Sequence, residues 1–197
     1  MTEAGRPNQR ARTRKDLLDA ASRLLKQGRT PTVDDVAVEA KVSRATAYRY
    51  FPSAELLIVE TTLDWAMPDA DSLLAGATDD PVERLERVDA ALEEVLAANR
   101  PAFRIMLAQT LQRSQDATDY PVRQNRRTAL IEAALAPARD RFDPAALQRL
   151  TSALAVVMGT ESMVAFSDVL QLDPSNAGDV RRWMIRSLVD AALTAGG

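Results

Sequence analysis

The stretch Thr32-Val33-Asp34-Asp35-Val36-Ala37-Val38-Glu39-Ala40-Lys41-Val42-Ser43-Arg44-Ala45-Thr46-Ala47-Tyr48-Arg49-Tyr50-Phe51-Pro52 decides how the chain is read. Thr32 is a good N-cap, and Asp34 and Asp35 follow in the first turn, where acids suit the helix dipole. Val33, Val36, Ala37 and Ala40 recur at helical spacing and make one inward face. A tight break follows at Lys41-Val42. Ser43 then caps a second short helix, Arg44 to Tyr50, which Phe51-Pro52 closes because a residue before proline is pushed out of the helical region. Two short helices joined this tightly, with small apolar residues where they must cross steeply, form the helix-turn-helix pattern. In it the second helix enters the major groove and shows its N-terminal residues to base edges. Arg44, Thr46, Tyr48 and Arg49 are polar and placed for phosphates and bases. Arginine is the usual bidentate reader of guanine, and Ala45 is small enough to meet a thymine methyl. On the residues alone, a short amphipathic surface helix with two solvated arginines competes with this reading.

Charge supports a polyanion partner for this end of the chain. Residues 1–52 hold eleven Lys/Arg against six Asp/Glu, whereas the remainder holds 14 against 22, so the overall charge of −3 hides an asymmetry. A basic first quarter on an acidic body fits a nucleic-acid-binding module joined to something that does not bind polyanions. Arg6, Arg10, Arg12, Arg14 and Lys15 read either as an arm for phosphate or the minor groove, or as a solvated tail.

Outward from this segment the apolar residues keep helical spacing, and no alternating run appears. The chain of 197 residues is expected to be all-α, with about nine helices. The first runs from about Thr13 to Gln27 on a stripe of Leu17, Ala20, Ala21, Leu24 and Leu25, with Gly28 as its C′ residue. Ser53 caps a fourth, reaching about Met67. Pro68–Asp80 reads as a loop. Asp80-Pro81 opens the next helix, which ends near Asn99. Others start at Pro101, ending near Ser114, and near Pro121, running to a break at Pro137. Asp143-Pro144 opens a helix to about Leu170, spanning about 40 Å at ~1.5 Å per residue. The last helix covers about Asn176 to Ala195. The domains expected are a helix-turn-helix unit over 1–52, with 1–12 as its basic arm, and a helical ligand-binding and dimerisation unit over 53–197.

Composition excludes several chemistries. The chain has no cysteine and no histidine, which removes disulfides, thiol catalysis, imidazole bases and the common zinc ligands. No phosphate-binding glycine loop, nucleophile elbow or metal cluster is visible, so neither an enzyme nor a cofactor is expected. No apolar run approaches the ~20 residues of a membrane helix, and the first 30 residues lack a secretory apolar stretch. A cytoplasmic protein with no membrane partner is expected.

Beyond these patterns, the residues resemble a known family. The segments Leu18-x-Ala20-Ala21-x-x-Leu24-Leu25-x-x-Gly28, Thr32-Val33-x-x-Val36-Ala37-x-x-Ala40-x-Val42-Ser43 and Thr46-x-Tyr48-x-Tyr50-Phe51-Pro52-Ser53-x-Glu55-x-Leu57 resemble the tetracycline-repressor (TetR) family of bacterial transcriptional regulators. The resemblance covers about residues 13–60. It implies phosphate contacts from Thr32 and Ser43, base contacts from Arg44, Ala45 and Thr46, a phosphate bond from Tyr48, and reach to bases or phosphates from Arg49 and Tyr50. Val36, Ala37, Val42 and Phe51 are expected in the core. Three residues depart from the family pattern: Lys41 for a glycine in the turn, Ala47 for a larger apolar residue, and Ala54 for a lysine that often touches phosphate.

The body carries weaker signals. From Ala153 to Phe166 the helix is apolar almost all round, which implies burial on every face and therefore a partner. Val180, Trp183, Met184, Leu188 and Ala191 stripe the last helix. The resemblance implies that these two helices form a four-helix homodimer interface, for which Leu154, Val157, Trp183, Met184, Leu188 and Ala191 are the candidates. Glu161 within the apolar run needs a partner, an arginine such as Arg104 or Arg127, or else a ligand. Arg123, Arg126 and Arg127 read as a solvated face with one turned inward. Trp65, Phe103, Met106, Leu107, Met158 and Phe166 are candidates for a cavity, with Gln109, Thr110 or Glu161 as polar points, for a largely apolar small-molecule effector. The expected function is an effector-released repressor that binds a palindromic operator in double-stranded DNA as a homodimer. An activator, a DNA-binding protein without a ligand, and a helical small-molecule carrier or enzyme are the alternatives.

Overall fold

Ser43 and Thr32 do locally what their positions dictate, and the rest of the N-terminal unit is assembled around them. In the computed structural model, which describes residues 5–112 and 125–194, every regular element is helical. The first four helices are α1 (Gly5–Lys26), α2 (Val33–Glu39), α3 (Arg44–Tyr50) and α4 (Ala54–Ala66). The Thr32 hydroxyl accepts from the Asp35 N–H, and the Asp35 carboxylate accepts from the Thr32 N–H, closing a capping box. Ser43 Oγ accepts from the Thr46 N–H at 3.1 Å. Helices α1 and α2 both end in Schellman turns: Arg29 N–H bonds Leu24 O and Gly28 N–H bonds Leu25 O, as Val42 bonds Ala37 and Lys41 bonds Val38. The C′ residue of each has positive φ, +76° at Gly28 and +56° at Lys41. Leu17, Leu18, Ala21, Leu24, Val36, Ala37, Ala47, Phe51 and Leu57 meet in one apolar core.

Helix α1 begins before Thr13, where periodicity placed its start. Residues 5–12 have no apolar stripe, and periodicity sees only what is buried. A helix nucleated on a packed face extends through polar neighbours at little cost.

The remaining elements are α5 (Ala70–Leu74), α6 (Pro81–Ala98), α7 (Arg100–Gln112), α8 (Arg126–Leu135), a 3₁₀ segment (Ala136–Arg141), α9 (Pro144–Val157), α10 (Thr160–Val164) with a π turn (Ala165–Val169), and α11 (Pro174–Thr194). The described chain forms two compact units, one within residues 1–66 and 101–124, the other within 67–100 and 125–197. In the second unit α9 packs on α8 and α11, and α6 on α8 and α11. Leu85, Val88, Leu130, Ile131, Leu154, Ile185 and Val189 fill its core. Asp80, Asp143 and Asp173 each sit before a proline and each accept backbone N–H groups of the helix that follows. Arg84 donates to the Ala133 and Ala134 carbonyls at the end of α8.

Three expectations change here. Residues 68–80 are not all loop, because Asp69 caps the single turn and a half of α5. The last helix starts at Pro174, since Asp173-Pro174 is the same start signal as Asp80-Pro81. The helix expected over 144–170 breaks at Met158-Gly159 and bends by 43°. Gly159 is extended, and its N–H is taken by Ser162 Oγ, which also donates to the Val157 carbonyl. A Cβ at Gly159 would lie 2.2 Å from Arg127 Nη1, so the absent side chain makes room for that guanidinium. The segment is not enclosed on every face: Val156, Val169 and Leu170 are exposed. The helix ends expected near Ser114 and Pro121, and the side chains of Arg6, Gln109 and Arg123, lie outside the described residues. Among the described residues no single helix is long and apolar enough to cross a membrane.

Candidate nucleic-acid interface

The recognition candidate, α3, is two turns long, and its packing splits it cleanly. Ala47 and Tyr50 are buried against the first core, whereas Arg44, Ala45, Tyr48 and Arg49 are exposed. The exposed four share one side of the helix, as the i, i+1, i+4, i+5 spacing requires. Tyr50 differs from its expected reach toward DNA. It is three residues from Ala47 on the buried face, and only 4% of it is exposed. Thr46 is half-buried, and its hydroxyl is 2.8 Å from that of Ser43. Thr32 and Ser43 are exposed at the N-termini of α2 and α3, where backbone N–H groups and the positive dipole end favour an anion such as phosphate. The Thr32 hydroxyl and N–H bind the Asp35 carboxylate, with Arg29 adding to them, and hold it below its ordinary range.

The basic surplus is unevenly available. Arg14 is buried, paired with Glu60 at 2.9 Å and stacked over Phe51. Lys15 pairs with Asp19, Arg23 with Glu39, Arg29 with Asp35, and Arg44 with Asp34. Arg12, Lys41 and Arg49 have no ion pair among the described residues and leave positive charge to the surface. Arg14 therefore serves α1 and α4 and is no part of a phosphate-seeking arm. A buried arginine was not legible in a run of five bases, because its carboxylate lies 46 residues away in sequence.

The capped tight turn, the α3 face with two arginines and a tyrosine, and the phosphate-ready helix starts together make a surface fit for a duplex. Residues 17–61 match the model of a family described as bacterial regulatory proteins, tetR family. These residues form a tetR-family DNA-binding domain, and with it the chain is a DNA-binding transcriptional regulator. No curated protein matches it. The match covers the DNA-binding segment, and the body of the regulator must be read from its own residues.

Lys41 is the departure with a physical consequence. A side chain at φ +56° is strained by about 1 kcal/mol, which glycine would avoid. Glycine costs a comparable conformational entropy, so Lys41→Gly is expected to change stability by less than about 1 kcal/mol. Valine there should destabilise by more, because a branched Cβ suits this conformation least. Paired thermal melts check both. Lys41→Gly should also lower the salt slope of DNA binding by about 1 if Lys41 meets a phosphate.

The candidate effector residues fall in both units. Trp65, on α4, is 46% exposed; its indole N–H donates to Ser22 Oγ at 2.9 Å and Lys26 lies over its ring. Phe103 and Met106 are buried, Leu107 is half-buried, and the Thr110 hydroxyl donates to the Met106 carbonyl. In the second unit Met158 and Phe166 are buried, with the Arg181 guanidinium over the Phe166 ring. Glu161 is exposed and bonds Arg127 at 3.1 Å, which meets its need for an arginine partner. A cleft of about 900 Å³ opens elsewhere in the second unit, among Thr128, Glu132, Arg139, Phe142, Leu147 and Gln148. Sequence reasoning missed it because its residues come from α8, α9 and the 3₁₀ segment between them, and most of them read as ordinary solvated positions.

The interface candidates also divide. Leu154 and Val157 lie in the core of their own unit, while Trp183 is 68% exposed, Ala191 is exposed, and Met184 and Leu188 are half-buried. Val156, which the sequence reading passed over, is 64% exposed on α9.

Proposed function

We propose that this regulator is a homodimeric repressor that binds a palindromic operator and is released by a small-molecule effector. The observation that carries the dimer is a tryptophan left in solvent. Trp183 on α11 and Val156 on α9 are exposed on two helices that pack on each other. A tryptophan buries roughly 150–250 Å² when covered, and a large apolar side chain left this exposed suits a protein partner. A two-fold axis beside α11 would cover Trp183 with the partner copy in an isologous contact. Two recognition helices related by two-fold symmetry read inverted half-sites, so the operator is palindromic.

Sedimentation at micromolar concentration is expected to show a dimer, and Trp183→Asp a monomer with an unchanged helical spectrum. A monomeric parent protein would sink the proposal. Arg44→Ala and Arg49→Ala are each expected to weaken operator binding by about 1–3 kcal/mol and relax base preference, and Tyr48→Phe to weaken all sequences alike.

Support for an effector comes from the cleft in the second unit, whose size is in the range of small-molecule sites. Its walls are mixed: Leu135, Phe142 and Leu147 beside Glu132, Arg139 and Gln148. An amphipathic effector suits it better than the largely apolar one expected from sequence. A reporter screen against a small-molecule library would find an inducer. Leu147→Trp, which fills the cleft, should keep repression and lose that response. A full response from the filled variant would place the effector elsewhere.

A further inference from the structure

Asp34 is an acid on the polyanion-binding side of the regulator, where it repels phosphate; it suits the dipole of α2, but its carboxylate makes none of that helix's capping bonds. Thr32 and Asp35 already form the capping box of α2. Asp34 instead accepts from Arg44 Nη2 at 2.6 Å, across the helix-turn-helix from the first turn of α2 to the first turn of α3. The Asp34 side chain is 38% exposed and that of Arg44 72%, so the carboxylate sits lower than the guanidinium it holds. The other oxygen, Oδ1, is buried and has no hydrogen-bond partner. A carboxylate with one shielded, unsatisfied oxygen has its charge directed onto the one cation it touches, which strengthens that bond relative to a fully solvated pair.

We infer that Asp34 is a specificity-determining positioning residue, which fixes the guanidinium of Arg44 so that Arg44 reads one base pair in each half-site. The inference rests on the reading of α3 as the recognition helix. Arginine carries five N–H donors in a rigid planar fork. One donor goes to Asp34, and four remain, including a complete two-donor edge of the kind that matches guanine O6 and N7. An untethered arginine sweeps many rotamers and bonds whichever phosphate is near. The tether removes that freedom before DNA arrives and places a negative charge where a phosphate would otherwise compete for the guanidinium. Asp34 thus lowers affinity for all DNA and raises discrimination at one position, the two halves of a specificity device.

The test is selection from a random duplex library with the full-length dimer, run in parallel for the wild type and for Asp34→Ala, Asp34→Asn, Arg44→Ala and the double Asp34→Ala/Arg44→Ala, with binding to a non-specific duplex measured for each. Wild-type protein should enrich a two-fold symmetric motif. Asp34→Ala should lose roughly tenfold preference at one base pair per half-site, keep the rest of the motif, and bind non-specific duplex more tightly. Arg44→Ala should lose the same base pair, and the double variant should be no less selective there than Arg44→Ala alone. Asp34→Asn, which still accepts one hydrogen bond, should recover part of the preference. A motif unchanged in Asp34→Ala, or weakened evenly at every position, overturns the inference. A wild-type protein that enriches no motif overturns it too, by removing the reading of α3 on which it rests, and is told apart because the variants then have nothing to alter.

Discussion

Replacing Glu60 by alanine is expected to cost the first unit about 3–5 kcal/mol. Glu60 on α4 is 4% exposed and Arg14 on α1 is 9% exposed, and their side chains meet at 2.9 Å. Removing the carboxylate leaves a buried guanidinium without that counter-charge, supported by the face of Phe51. A cation over an aromatic ring is worth only about 0.5–2 kcal/mol, which cannot replace the ion pair. Because Phe51 closes the recognition helix, the loss reaches the DNA-binding surface without touching Arg44 or Arg49. The chain's two tryptophans make the effect separable, with Trp65 in the first unit and Trp183 in the second. In a Trp183→Phe background the fluorescence transition should move to lower urea in Glu60→Ala. In a Trp65→Phe background it should move far less. Arg14→Met/Glu60→Leu should recover most of the loss, since an apolar replacement leaves no buried charge. If Glu60→Ala unfolds within about 0.5 kcal/mol of the parent protein, the pair does not clamp α1 to α4.

Arg181→Met should be comparably damaging in the second unit, and its damage should depend on pH. Arg181 on α11 donates through Nε to both oxygens of Asp89 on α6, at 3.0 and 3.1 Å, and lies 3.1 Å from Glu93. Burial pushes the Asp89 carboxyl above its ordinary value, and the attraction of Arg181 offsets this only in part. A carboxyl raised on folding binds its proton more tightly in the native state. Its contribution is therefore present below the unfolded value of 3.8 and is lost as pH rises through the folded value. Without Arg181 the folded value rises further, and at neutral pH an ionised, buried carboxylate has lost its main partner. The expected cost is about 3–5 kcal/mol at pH 7.5, shrinking toward pH 4 as Asp89 takes up a proton. Urea unfolding at both pH values checks the sign. A deficit that grows on acidification would show that Arg181, not Asp89, sets the energetics of the cluster. The N-cap carboxylates of Asp69 and Asp173 behave oppositely, since backbone N–H bonds from Ser72 and Asn176 lower them. Their contribution is present at neutral pH and is lost only on strong acidification.

Much of the DNA-binding half was legible in the residues because its signals are local. The caps at Thr32 and Ser43, the glycine at position 28 and the stop at Phe51-Pro52 act within four residues of where they stand. The helical periods of α1, α2 and α3 expose their buried faces directly. The exposed set Arg44, Ala45, Tyr48 and Arg49 follows from the same period once Ala47 is known to point inward. Tyr50 was misplaced because a tyrosine beside an arginine looks polar, whereas its register with Ala47 makes it core.

What only the tertiary structure decided are pairings between residues far apart in the chain. That Arg14 belongs to Glu60, Arg44 to Asp34 and Arg181 to Asp89 depends on which helices lie side by side, and a count of charges carries no such information. The break at Gly159 is of the same kind: apolar periodicity runs straight through it, and only the guanidinium of Arg127 packed over that backbone and the Ser162 hydroxyl taking its N–H show why the helix stops there. Local backbone preference and side-chain period determine elements and faces. The partner of a buried charge is set by packing, because the energy that selects it exists only after both groups have left water.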